Sequence, residues 1–188
     1  TAANALYTML AFRDQQPGNV LKVAEEVRVA IPRLGPNDVV DFLGIGGVES
    51  VRLMAEYGAA GALFLRGDLS RATTALEHVL TLPGTDYPVW KVYVLGTNAL
   101  VRAWSGHCAE ALRLAHSAMD TAAAFGIPHH PASTHAHLAA ALAHLDRAEL
   151  EPAALHLAES GRQVRVRVAS VTYFDLQRAL ETRLAALT

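Results

Sequence analysis

One stretch limits the fold more than any other: Leu63 to Leu80, Leu-Phe-Leu-Arg-Gly-Asp-Leu-Ser-Arg-Ala-Thr-Thr-Ala-Leu-Glu-His-Val-Leu. Gly67 can take the left-handed conformation that ends a helix, and Asp68 can accept a hydrogen bond from the free N–H groups that begin the next. Leu69, Leu76 and Leu80 form an apolar stripe at helical spacing, and Ala72 falls where two helices must come close. The stretch therefore predicts a helix end, a two-residue turn and a complete second helix. Such a hairpin cannot bury its own apolar face, so it requires neighbours of the same kind.

The chain offers them. Arg66-Gly67-Asp68-Leu69-Ser70-Arg71-Ala72 aligns with Ser105-Gly106-His107-Cys108-Ala109-Glu110-Ala111, and more weakly with Arg147-Ala148-Glu149-Leu150-Glu151-Pro152-Ala153. The turn positions Gly67, Gly106 and Ala148 are 39 and 42 residues apart. Two helices per step at that period predict an all-α fold, a right-handed α-solenoid. The expected hairpins are 2–31, 48–82, 86–125 and 131–161, with a partial unit at 171–188, in one helical-repeat domain covering 1–188. Two residues depart from the pattern: Ala148 replaces the turn glycine, and Arg102 stands where a small or apolar helix residue is expected.

Composition agrees with helix packing. Hydrophobic residues make up 52% of the chain but aromatics only 6%, so alanine and leucine carry the apolar content. A formal charge of −2 and a pI near 6.5 argue against a polyanion-binding surface over the whole chain. The single cysteine, Cys108, excludes an intramolecular disulfide and fits a reducing, cytoplasmic compartment. Thr121 to Leu145 is uncharged, yet its five histidines and two prolines do not read as a membrane span. The chain shows no signal pattern, lacks an initiator methionine and stops within a helical pattern at Leu187-Thr188, which suggests a piece of something longer. Apolar helix faces at such cut ends would allow a homodimer.

Smaller features complete the local reading. Ala2–Phe12 predicts a short helix, Arg13–Gly18 a loop, and Asn19 a cap for a helix reaching Ile31. Asp38–Phe42 predicts a further helical turn before Gly44-Ile45-Gly46-Gly47. Gln163–Val168 alternates valine and arginine with the period of a strand, but its helical surroundings favour a frayed helix end or loop.

Gly67-Asp68-Leu69 with Ala72 five positions after the glycine resembles the inter-helix turn of tetratricopeptide repeats, although the units are longer than the usual period of about 34 residues. These longer units resemble the solenoid arm of the large ATP-binding regulators of the LuxR family, the MalT-like group. His130-Pro131-Ala132, His137-Leu138-Ala139-Ala140-Ala141-Leu142, Leu145-Asp146-Arg147 and Glu149-Leu150-Glu151 carry that likeness, which spans roughly residues 50–160. The resemblance implies a nucleotide-binding domain before the arm and a helix-turn-helix domain after it. It implies that the arm receives a small-molecule inducer or a regulatory protein and passes that state to the other domains of the parent chain. ATP would then lie in a separate domain, with no cofactor and no direct nucleic-acid contact in this segment. Gly67, Asp68, Ala72, Gly106, Ala111 and Ala153 would be structural turn residues. A different class, a stand-alone tetratricopeptide adaptor for protein–protein interaction, fits the same repeat.

No stretch carries a catalytic constellation, so no enzyme activity is expected. In tetratricopeptide hairpins the first helix of each pair lines the concave face. Counting back from the turns puts Met54, Tyr57 and Phe64, then Tyr93, Leu100 and Trp104, then His135, Leu138 and Leu142 along a ligand or peptide groove. Packing between helices would use the same residues. His129, His130, His135, His137 and His144 crowd sixteen residues. His135 and His137 point apart on a helix, and His137 and His144 share a face two turns apart, so no metal site is expected. Cys108 beside His107 diverges from it on a helix and reads as a small apolar residue. The Gly44–Gly47 run has no Gly-Lys-Ser/Thr and reads as a linker or helix break. Arg162, Arg165 and Arg167 read as a solvated basic face.

Overall fold

The computed structural model describes residues 17–33, 47–166 and 171–188. The expected helix at Ala2–Phe12, the turn at Asp38–Phe42 and most of the Gly44–Gly47 run lie outside the described residues. All regular structure among the described residues is helical: α1 (Pro17–Ala30), a 3₁₀ turn (Ile31–Arg33), α2 (Gly47–Leu65), α3 (Leu69–Val79), α4 (Pro88–Trp104), α5 (Cys108–Ala124), a 3₁₀ turn (Pro131–Ser133), α6 (Thr134–Asp146), α7 (Leu150–Val166) and α8 (Val171–Ala185). No described helix is long and apolar enough to cross a membrane. Contacts gather into two compact units, Thr1–Tyr87 and Pro88–Thr188.

The three aligned turns share one backbone geometry. Gly67 and Gly106 have φ of 78° and 79°, and Ala148 follows them into the left-handed region at 58°. In each, the N–H of the left-handed residue donates to the carbonyl three residues back: Gly67 to Phe64 (2.9 Å), Gly106 to Ala103 (3.0 Å) and Ala148 to Leu145 (3.1 Å). The next N–H reaches five back: Asp68 to Leu63 (3.0 Å), His107 to Arg102 (2.9 Å) and Glu149 to His144 (2.9 Å). This paired pattern is the Schellman helix end. The following helix starts at once, with Ala72 donating to the Asp68 carbonyl, Ala111 to His107 and Ala153 to Glu149. All three alanines are fully buried, so a side chain larger than a methyl has no room at the crossing.

Each departure from the pattern has its compensation. A residue with a β-carbon in the left-handed region costs about 1–2 kcal/mol, yet Ala148 keeps both Schellman hydrogen bonds. Arg102 Nη1 lies 3.5 Å from Glu110 Oε2 across the turn, so its stem packs while its charge is met. The capping device also varies: Asp68 Oδ1 accepts from the Arg71 N–H at 3.3 Å, whereas His107 makes no side-chain cap.

One local expectation is corrected and another is narrowed. Helix α1 begins at Pro17, so Pro17-Gly18 is helical and Asn19 lies inside the first turn. Proline fits a first helical position because its φ is preset and its missing N–H would have had no partner there. Helix α7 continues to Val166, so of the two readings favoured for the stretch from Gln163, helix end and loop, the helix end holds up to that point. Gln163 holds the extension: it is only 2% exposed, accepts from Thr134 Oγ1 (3.3 Å) and donates to Glu159 Oε1 (3.0 Å).

In the first unit α2 packs against α1 and α3, with Val20 and Ala62 buried together. Arg28 reaches across to grip both Glu56 oxygens, at 2.7 and 2.6 Å. In the second unit α4 packs on α5 and α6, α6 on α7, and α8 on α7 and α6. Every residue of α6 from Thr134 to Ala143 is buried. The α4–α6 crossing is tightest at Gly96, where an added β-carbon would lie 2.9 Å from the Ala136 backbone nitrogen. Helix α8 is tied on by Arg183 to Asp146 (2.6 Å) and by Gln177 Nε2 donating to the Leu157 carbonyl (2.9 Å).

Candidate functional site

The nine expected groove residues divide by burial. Met54, Leu100, Leu138 and Leu142 are sealed among packed helices, as is His135, while Tyr57, Phe64 and Tyr93 are half-buried. Trp104, on the last residue of α4, is 50% exposed. Leu100 and Leu138 have no exposed surface, so their side chains stabilise the second unit through packing.

His135 belongs to the α4–α6 seam. Its Nδ1 is 2.7 Å from Thr97 Oγ1, and its ring meets Tyr93 edge-on with centroids 6.0 Å apart. Burial in this seam pushes His135 down to about 4, so it is neutral at pH 7.

The other side of α6 gathers chemistry that one helix could not. His137 and His144 sit two turns apart on the face toward α7, and His156 of α7 enters between them. The Nδ1 atoms of His137 and His156 are 3.1 Å apart, with ring centroids at 5.3 Å. The His144 ring stacks on His156 at 5.6 Å, the planes inclined by only 8°. His144 Nδ1 lies 2.5 Å from Glu149 Oε2. A carboxylate accepts, so that nitrogen is the donor, and the hydrogen bond draws the Glu149 carboxyl below its usual range.

Burial pushes His137 down to about 4 against the pull of the Glu159 carboxylate. Burial, reinforced by His137, His144 and His116, brings His156 to about 4 as well. Both rings are then neutral near pH 7, and one Nδ1–H donates to the other Nδ1. Glu159 closes the outer edge. Burial pushes its carboxyl up, but hydrogen bonds from His129, Arg162 and Gln163 outweigh that and hold it at about 2. Arg162 is thus paired with Glu159, and His129 Nδ1 lies 3.0 Å from the same residue.

No family model matches the chain, and no curated protein or solved structure matches it significantly. The site is therefore read from its own geometry.

Reading along α6 alone missed His156, although a signal for it was present. Reflected through the turn at Ala148, position 156 falls opposite 140, midway between His137 and His144. Antiparallel helices joined by a short turn place such mirrored positions side by side. His130, by contrast, is structural: its Nδ1 accepts from the Ala132 N–H at 3.1 Å and caps the 3₁₀ turn. Cys108 opens α5 as a free, half-buried thiol. Elsewhere on this unit a shallow groove of about 590 Å³ runs along α5, lined by Lys91, Arg113, His116, Asp120 and Phe125. Among the described residues no three histidine, cysteine, aspartate or glutamate side chains converge as a metal-binding group.

Proposed function

We propose that this chain is a non-catalytic helical-repeat domain, the ligand- or protein-sensing arm of a LuxR-type, ATP-dependent transcriptional regulator. Its hairpins form a right-handed, tetratricopeptide-like solenoid, in a cytoplasmic protein whose ATP and DNA sites lie in other domains. One observation supports this reading above the rest. Turns 39 and 42 residues apart repeat the same left-handed residue, the same pair of backbone hydrogen bonds and the same buried alanine. That identity survives the loss of glycine at Ala148, as expected where the hairpin is the unit being repeated. The half-exposed Trp104 and, on the α5 groove, the 59% exposed Phe125 supply aromatic surface for a partner. An inducer or regulatory protein bound there would shift the arm between conformations only through differential affinity for them.

The full reading frame provides the first test. A Gly-Lys-Ser/Thr phosphate loop upstream and a helix-turn-helix downstream support the regulator. Their absence would sink it and leave the stand-alone adaptor. Separately, oligosaccharides and peptides titrated against the intact protein and Trp104→Ala should bind the intact form more tightly. Equal binding would remove Trp104 from the sensing surface.

A further inference from the structure

The histidines between α6 and α7 carry a function beyond partner binding. We propose that His137 and His156 form a binding site for a borderline divalent transition metal, of the Zn²⁺, Ni²⁺ or Cu²⁺ class. Their Nδ1 atoms, 3.1 Å apart across two helices, already stand at the separation of adjacent ligands on one ion. Two imidazole nitrogens at about 2.0–2.1 Å from a tetrahedral ion are about 3.3–3.4 Å apart, and at right angles about 2.9 Å. The observed distance falls between these limits, and an ion would bind once both rings turn their Nδ1 atoms from each other toward a point beside the line that joins them.

The surroundings favour imidazole ligation. His137 is 9% exposed, and the parallel stack of His144 holds the His156 ring. Glu149 in turn fixes His144 by accepting its Nδ1 proton, an orienting contact of the kind that surrounds metal ligands. Two histidines on neighbouring elements serve as ligands without a third protein group when water completes the coordination. The Glu159 carboxylate favours positive charge at His137, while Arg162 and His129 act the other way. The tautomers balance: the ring whose Nδ1–H now donates to its neighbour carries that proton on Nε2 once the ion is bound. Both Nδ1 lone pairs then face the ion, and no proton is lost.

Isothermal titration calorimetry of the chain with Zn²⁺ should show one site, with no binding of Mg²⁺, which prefers oxygen ligands. His137→Gln and His156→Phe should each weaken Zn²⁺ binding at least about tenfold, the scale at which even supporting residues act. His78→Gln, on exposed α3, should leave it unchanged. At Zn²⁺ about ten times the dissociation constant, the unfolding midpoint should rise by about 3–5 °C in the unsubstituted chain and not in His156→Phe. With one equivalent of Cu²⁺, electron paramagnetic resonance should show two imidazole nitrogens, a readout that needs no variant to fold. Undiminished Zn²⁺ affinity in His156→Phe would overturn the proposal, as would a copper spectrum without two nitrogens.

Discussion

The two sides of α6 use one helix in opposite ways. Toward α4 the backbones nearly touch at Gly96, and the single imidazole in the seam, His135, is matched to a threonine hydroxyl. Toward α7 the seam holds three imidazoles, two of them stacked. Both seams bury histidine in neutral form, but the first binds one ring to fixed protein atoms and the second binds rings to each other. A tight seam gains stability from backbone approach and close packing. A seam lined by several imidazoles keeps side chains whose lone pairs remain adaptable.

The comparison breaks most severely at Gly96. Gly96→Val should destabilise the second unit by about 3 kcal/mol, because the obstructing atom is backbone and cannot swing aside. Urea denaturation measures this, and a loss under about 1 kcal/mol would show that the seam can open.

Next comes the pH dependence of the same seam. His135 titrates near 4 when folded and near 6.5 when unfolded, so between those values the unfolded chain binds more protons. Stability is then fully present above about pH 6.5, falls as pH drops toward 4, and loses up to about 3 kcal/mol from this group. His135→Gln should make the acid limb shallower in denaturation curves recorded from pH 7 to 4, leaving the shares of His137 and His156, which are pushed down to about 4 as well.

The turns should respond more modestly. Ala148→Gly relieves a left-handed alanine and should stabilise by about 0.5–1 kcal/mol, while Gly106→Ala should destabilise by about 1 kcal/mol. Thermal denaturation of the pair gives the sign of each, and the same sign for both would refute a shared turn geometry. The smallest change is expected on the adaptable side. His156→Phe keeps ring volume and the stack on His144, and should alter stability by less than about 1 kcal/mol. A cost as large as that of Gly96→Val would erase the distinction between the seams.

The aligned turns were legible in the residues because their causes are local. Gly67, Gly106 and the alanines at 72, 111 and 153 mark backbone conformations and close approaches that depend on a handful of neighbours. Even the weak third copy at Ala148 was found, since register carried over where the glycine did not. At the end of α7 the residues left helix end and loop both open, and what decides for helix, Gln163 held by Thr134, is 29 residues away. Spacing alone does not tell an inward-facing leucine from one sealed between neighbours. Leu100 and Leu138 are sealed.

By itself, then, the sequence determined that this chain is helical, where its helices turn, and which small residues sit at their crossings. Tertiary structure decided which histidines meet. His137, His144 and His156 come together only through the crossing of α6 and α7, and the depth of their burial follows from that packing. The physical reason is range: each aligned turn is settled by hydrogen bonds within six residues, whereas a shared site depends on how whole helices lie against one another.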